Sequence, residues 1–196
     1  HVDCQGHLGY ICHLYTNGRL PDVNPMTAFE FCQPPLYYAV SAVFLRVYGL
    51  LGLLPEIIWG VDETLQILPM MYSMMTLVFI DKIGKQIKLS PEGRLTAVCF
   101  AGFLPYSVMM SGALNNDTLA TLLMVMSIYY TLRWYEKPDV KGIVIMAVCI
   151  GAAMMTKLSA VVIVPAMAVM MLYRVWKDRE KWAVYLKQFI CFGVVA

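Results

Sequence analysis

Five ionisable side chains in this sequence suit acid–base and anion-binding chemistry. Three are the carboxylates Asp3, Glu30 and Asp117, and the others are His7 and Lys157. A carboxylate or an imidazole can take a proton from a hydroxyl, and carboxylate oxygens also bind divalent metal ions. A lysine at a helix break can balance the charge of a phosphate. Simpler explanations remain open: Asp3 can be a solvated loop acid, and Lys157 can extend to lipid headgroups.

The stretch GALNNDTLATLLM places Asn115, Asn116 and Asp117 between two long apolar runs. A charged side chain at the centre of a bilayer costs roughly 2.5–3.5 kcal/mol, so this carboxylate is expected at a membrane surface. Asp117 can also be the N-cap of the following helix, because aspartate accepts hydrogen bonds from the first N–H groups of a helix. Both interpretations are open from the sequence.

The composition indicates the class of protein that positions these groups. Of the 196 residues, 60% are hydrophobic and 14% are charged, whereas soluble domains are nearer half apolar and a quarter charged. The apolar residues form long runs with short basic clusters between them, which argues against a nucleic-acid partner. The sequence therefore predicts an all-α fold, a polytopic transmembrane helix bundle embedded in membrane lipid.

Apolar runs near the ~20 residues that a bilayer requires predict spanning helices over 64–81, 95–114, 117–135, 142–156 and 158–176, with another beginning near 188. Three turns rich in Lys and Arg, which we call the three basic turns, are expected in the cytoplasm; they are 81–94, 133–141 and 173–181. The turns that alternate with them then lie on the other side, so Asp117 and Lys157 share one compartment.

Segment 34–54 leaves two topologies open. It is apolar enough to span, which would place residues 1–33 in the cytoplasm. Alternatively it is a juxtamembrane helix at the outer surface, which Arg46 and its interfacial tyrosines favour. Residues 1–54 then form a first extracytoplasmic loop, with a short helix ended by Gly18, and residues 55–196 form the helix bundle. Only this topology places the acids of the first loop beside Asp117.

Four stretches carry a resemblance to a known family. They are, in order, Asp3 and His7 with GRLP at 18–21, CQPPLYY at 32–38, NND at 115–117 and TK at 156–157. The pattern resembles that of the polytopic C-type glycosyltransferases, which take a sugar from a polyprenyl-phosphate carrier and include the protein O-mannosyltransferases and the lipid A aminoarabinose transferase. Two positions depart from it: Cys4 replaces the second acid of an Asp-Glu motif, and Cys32-Gln33 replaces Glu-Lys before the prolines.

The resemblance implies inverting sugar transfer on the extracytoplasmic side of a bacterial cell membrane, to an acceptor that is a glycan, a lipid or a protein. Asp3, which matches the first-loop acid of the family, would be the general base. Lys157, Arg19 or a divalent metal would balance the carrier phosphate, and Glu30 is a candidate metal ligand. The candidate substrate-binding residues are His7, Gln33, Asn116, Asp117 and Lys157.

Two other functions remain open from the residues alone. A transporter or lipid flippase would carry its acids and lysine near mid-depth in the helices, and a non-catalytic membrane subunit would use Asp117 only as a cap. The charges lie at predicted helix ends, which favours the transferase. The missing initial Met and the apolar run at the end also predict a piece of a longer protein, preceded by a signal-anchor helix and followed by a C-terminal region.

Overall fold

The computed structural model describes residues 2–22, 31–53 and 58–196, with the backbone alone described for residues 2–5, 58, 59 and 181. All regular secondary structure in these ranges is helical. The α-helices are α1 (Val2–Asn17), α2 (Leu36–Leu50), α3 (Ile58–Leu65), α4 (Ile67–Gln86), α5 (Pro91–Phe103), α6 (Pro105–Ser111), α7 (Asp117–Glu136), α8 (Val140–Thr156), α9 (Val164–Lys177) and α10 (Trp182–Val195). Short 3-10 helices occupy Leu158–Ile163 and Arg179–Lys181.

Among the described residues, two helical segments, or three if a bent pair is one span, could cross a bilayer by length and composition. Gly60–Gln86 and Leu158–Lys177 are long and apolar enough to span. The run predicted as one span over 95–114 is instead the pair α5 and α6, bent by 61°, because Pro105 has no N–H and its ring excludes a continuous helix. The 20-residue α7 is about 30 Å long and packs mainly against α8 and α4. The predicted all-α membrane helix bundle is confirmed.

The three basic turns lie at one end of the bundle, which we call the basic end. Gln86 Nε2 donates to Glu136 Oε2 at 2.7 Å, which joins the C-termini of α4 and α7. The guanidinium of Arg174 lies 5.7 Å from the ring centroid of Tyr135, which adds the C-terminus of α9. The N-terminus of α7 and the C-terminus of α8 therefore lie at the opposite end.

Helices α1 and α2 run parallel to each other and pack near this opposite end. His7 bonds Tyr38, and Arg46 Nη2 donates to the carbonyl of Tyr15 at 2.9 Å, so the two contacts follow the same direction along both helices. A shared core includes Leu14, Leu45, Leu68, Leu114 and Leu119. The 15 residues of α2 extend about 22 Å, less than the ~30 Å hydrocarbon core. Length does not separate the two topologies of segment 34–54, because α8, with 17 residues, is also shorter than the hydrocarbon core.

Helix α1 ends at Gly18, as the sequence predicts. Gly18 has φ +66°, a conformation that glycine adopts without a steric cost, and its N–H donates to Leu14 O at 3.0 Å. The Arg46 side chain closes the same turn by binding the carbonyl of Tyr15. The single charge in the apolar segment 34–54 therefore attaches α2 to the end of α1.

Candidate functional site

Four of the predicted site residues meet where α7 begins and α8 ends. Asn116 Nδ2 donates to the backbone carbonyl of Thr156 at 3.2 Å and to Gln33 Oε1 at 3.4 Å. Beside it, Lys157 Nζ forms an ion pair with Asp117 Oδ1. We call these five residues the junction. It joins the chain before α2 to the first turn of α7 and the last turn of α8.

The start of α7 is capped by Asn115. Its Oδ1 accepts hydrogen bonds from the N–H groups of Asp117 at 2.9 Å and Thr118 at 3.3 Å, which have no acceptor within the helix. The interpretation of Asp117 as the cap is therefore wrong. Because Asn115 performs this task, the Asp117 carboxylate is free to bind Lys157. Asparagine caps helices as well as aspartate does, so the residue type at position 115 could have indicated this cap.

The Lys157–Asp117 pair is the accessible part of the junction. The side chains of Lys157 and Asp117 are 33% and 28% exposed, whereas Asn116 is 3% exposed. An ion pair this exposed contributes at most about 1 kcal/mol to stability. Asp117 also lies in the first turn of α7, where the helix dipole favours a negative charge. The arrangement holds an ammonium group at the protein surface without burying it.

Asn116 and Gln33 act as a link between segments. Both N–H bonds of the Asn116 amide are directed at protein acceptors, and one of them satisfies the carbonyl of Thr156, which has no partner within α8. The link fixes the residue before the twin prolines against the bundle. No sequence signal identified the Thr156 carbonyl, because its bond is made between residues that only the tertiary fold brings together.

His7 lies beneath the surface, between α1 and α2. It is 5% exposed, its Nδ1 is 2.9 Å from Tyr38 Oη, and the two rings stack with centroids 5.7 Å apart. The Tyr10 ring also stacks on the Tyr38 ring, with their centroids 4.0 Å apart. Burial raises the pKa of the Tyr10 hydroxyl. His7 therefore helps to dock α1 on α2, and its role in substrate binding stays a prediction.

The other predicted residues lie apart from the described contacts. Asp3 belongs to the first turn of α1, one turn before His7, and its side chain is outside the described part of the chain. Glu30 is outside the described residues altogether, and Arg19 is exposed after the end of α1. Within the described ranges, no three His, Cys, Asp or Glu side chains converge as metal ligands.

The fold and the junction define a polytopic helical membrane protein with an accessible lysine–carboxylate pair at one end of its bundle. The sequence profile of the dolichyl-phosphate-mannose-protein mannosyltransferase family matches residues 33–196. This range covers most of the chain and the whole junction, and the chain belongs to this family of C-type membrane glycosyltransferases, which use lipid-linked sugar donors. No curated protein and no solved structure matches the chain.

The matched range begins at Gln33. Helix α1, with Asp3 and His7, therefore precedes the part that the family profile recognises. The resemblance of the junction stretches is confirmed at the level of the family, while the roles of individual residues stay predictions.

Proposed function

We propose that this protein transfers a sugar from a polyprenyl-phosphate carrier to an acceptor on the extracytoplasmic side of a cell membrane, in a bacterial cell, and that the junction binds the carrier phosphate. The observation that carries the proposal is the partly exposed Lys157 ammonium, held by Asp117 at the end of the bundle opposite the three basic turns. Because cytoplasmic loops are enriched in Lys and Arg, the junction faces the other compartment.

In the proposed complex, Lys157 exchanges its partner. A lysine ammonium forms charge-assisted hydrogen bonds with phosphate oxygens, and the carrier phosphate replaces or joins Asp117 as the acceptor. Asp117 then acts as a positioning residue, since it keeps the ammonium between α7 and α8 when no carrier is present. Asn116 and Gln33 hold the first-loop segment beside this point.

The proposed reaction is a single displacement that inverts the anomeric carbon. The acceptor hydroxyl oxygen attacks C1 of the sugar, and the bond between C1 and the carrier phosphate oxygen breaks with its electron pair on the phosphate. Asp3 takes the hydroxyl proton as general base, and Lys157 stabilises the charge that develops on the leaving phosphate. Glu30 stays the candidate ligand for a divalent metal, and the acceptor is a glycan, a lipid or a protein.

Carrier binding tests the role of Lys157 without knowledge of the sugar. We expect Lys157→Gln in the full-length protein to weaken binding of sugar-free polyprenyl phosphate at least about 10-fold, the effect of one hydrogen bond to a charged group. Lys137→Gln, at the basic end, removes the same charge and should leave binding unchanged. Equal binding by the Lys157→Gln variant and the unaltered protein would exclude the phosphate role.

Turnover tests the role of Asp3. Release of polyprenyl phosphate from polyprenyl-phosphate mannose should fall about 100-fold or more in Asp3→Asn, the usual contribution of general base catalysis, while carrier binding stays normal. An unchanged rate in this variant would rule out Asp3 as the base.

A further inference from the structure

A cavity of about 270 Å³ lies at the basic end, far from the junction. It lies between the C-terminal parts of α4 and α7 and is lined by Lys82, Lys85, Gln86, Lys88, Tyr129 and Glu136. The hydrogen bond from Gln86 to Glu136 closes one wall. Three lysines and one carboxylate line the cavity. It lies at the C-terminal end of Gly60–Gln86, which is long enough to span the membrane.

Two of the three lysines, Lys82 and Lys88, can bind an anion because no carboxylate in the described part of the chain neutralises them. The Asp81 carboxylate binds Lys85 at 2.7 Å and Arg94 Nε at 2.8 Å. In the part of the chain that the structure describes, Lys82 and Lys88 form no ion pair with a carboxylate. The Lys82 ammonium instead lies 4.6 Å from the Phe79 ring centroid and 5.9 Å from that of Tyr129, which orients it at the cavity wall.

Lys88 occupies a backbone position that favours glycine. Its φ is +61°, and within the described ranges no other residue except glycine has a positive φ. In the left-handed conformation the Cβ of an L-residue lies too close to the following carbonyl oxygen. Lys88 N–H donates to Lys85 O at 3.1 Å and Leu89 N–H donates to Gly84 O at 2.9 Å. These bonds satisfy the terminal carbonyls of α4 and reduce the negative charge that a helix C-terminus presents to an anion.

We propose that this cavity binds the phosphate-containing headgroup of an anionic phospholipid. Basic pockets between membrane helices attract such headgroups, and the amide of Gln86 and the hydroxyl of Tyr129 can bond to headgroup hydroxyls. The side chains of Ile87 and Leu89 are 51% and 42% exposed and provide apolar surface for acyl chains. A volume just below the ~300 Å³ of drug-sized ligand sites suits a headgroup without its chains.

Titration of the full-length protein in detergent with phosphatidylglycerol, followed by native mass spectrometry, tests the proposal. Lys82→Gln/Lys88→Gln should weaken binding about 30-fold, at about 1 kcal/mol for each lysine. Lys137→Gln/Lys141→Gln, in the turn between α7 and α8, removes the same charge from outside the cavity lining and should change binding less than about 3-fold, below the ~5-fold of one bound lysine. Phosphatidylcholine, which has no net charge, should bind the unaltered protein weakly.

Lys88→Gly separates the lipid role from the structural one. Glycine relieves the left-handed conformation, so the variant should have a higher Tm and yet bind phosphatidylglycerol about 5-fold more weakly, again at about 1 kcal/mol per lysine. A higher Tm with unchanged lipid binding would show that Lys88 only closes α4 and would overturn the proposal. Displacement of the lipid by an equal concentration of inorganic phosphate would overturn it too, since the ligand would then be a soluble anion.

Discussion

Lys157 and Asp117 are 40 positions apart in the sequence and form an ion pair where α8 ends and α7 begins. Asn115, and not Asp117, caps α7, which leaves the Asp117 carboxylate available to Lys157. The same turn contains Asn116, which attaches the residue before the twin prolines to the bundle. Three adjacent side chains thus divide three tasks: capping, linking and holding the ammonium.

Exchange of the two charges separates the structural role of the pair from carrier binding. Asp117→Asn and Lys157→Gln should each lower the free energy of unfolding by up to about 1 kcal/mol, the usual range for an exposed pair. The double variant Asp117→Lys/Lys157→Asp restores an attraction but places each charge unfavourably at its helix end, so its Tm should recover only in part. Binding of polyprenyl phosphate should not recover, because a carboxylate then stands at the phosphate site. Recovery of both quantities would show that the pair is structural only.

Loss of the Asn115 cap should destabilise the protein. Asn115→Ala leaves the N–H groups of Asp117 and Thr118 without an acceptor, and we expect a loss of about 1 kcal/mol in the free energy of unfolding. Asn115→Ser keeps an acceptor oxygen for these N–H groups, loses the Nδ2 bond to Ala113 O as alanine does, and is the matched control. Denaturation in mixed micelles provides the measurement, and equal stability of the two variants would contradict the capping assignment.

Gly18 and Gly52 form a natural pair for testing the contact between α1 and α2. Both have positive φ, +66° and +70°, so Ala costs roughly 1–2 kcal/mol of backbone strain at either position. A Cβ at Gly18 would lie 3.3 Å from Arg46 Nη2, whereas at Gly52 it meets nothing within 4 Å. Gly18→Ala should therefore increase proteolysis of α1 more than Gly52→Ala does. The same rate in both variants would argue against the Arg46 contact as the attachment of α1.

The reactivity of Cys12 should depend on Asp62. Partial burial in α1 raises the pKa of the Cys12 thiol, and the charge of Asp62 raises it further. Since the thiolate is the reactive form, alkylation of Cys12 should increase only at higher pH than for a free thiol. Asp62→Asn removes the second cause and should shift the midpoint of the pH–rate profile to lower pH. An unchanged midpoint would show that Asp62 does not interact with the thiol.

Hydropathy predicted most of the helices. The hydrocarbon core of a bilayer contains no water, so a spanning segment must satisfy its own backbone hydrogen bonds and does so as a helix. The predicted runs 117–135, 142–156 and 158–176 correspond to α7, α8 and the segment that ends with α9. The break in the run 95–114 was missed because a proline within a membrane segment can either kink or interrupt it, and only packing decides which occurs.

The sequence predicted which side chains form the junction but not the contacts between them. The alternation of basic and acidic turns, which can be read from the sequence alone, predicted that Asp117 and Lys157 lie at the same end of the bundle. The bond from Asn116 to the Thr156 carbonyl and the burial of His7 against Tyr38 depend on how helices pack. No periodicity in a single sequence records such contacts.

In our proposal, the junction end of the bundle faces the extracytoplasmic compartment. Cys32 is exposed and directly precedes Gln33, so it can report on this end when it is the single cysteine of an otherwise cysteine-free protein. We predict that a membrane-impermeant maleimide labels Cys32 in intact cells, while a cysteine introduced by Lys137→Cys at the basic end reacts only after the membrane is permeabilised. Labelling of the Lys137→Cys variant in intact cells, with Cys32 protected, would contradict the account.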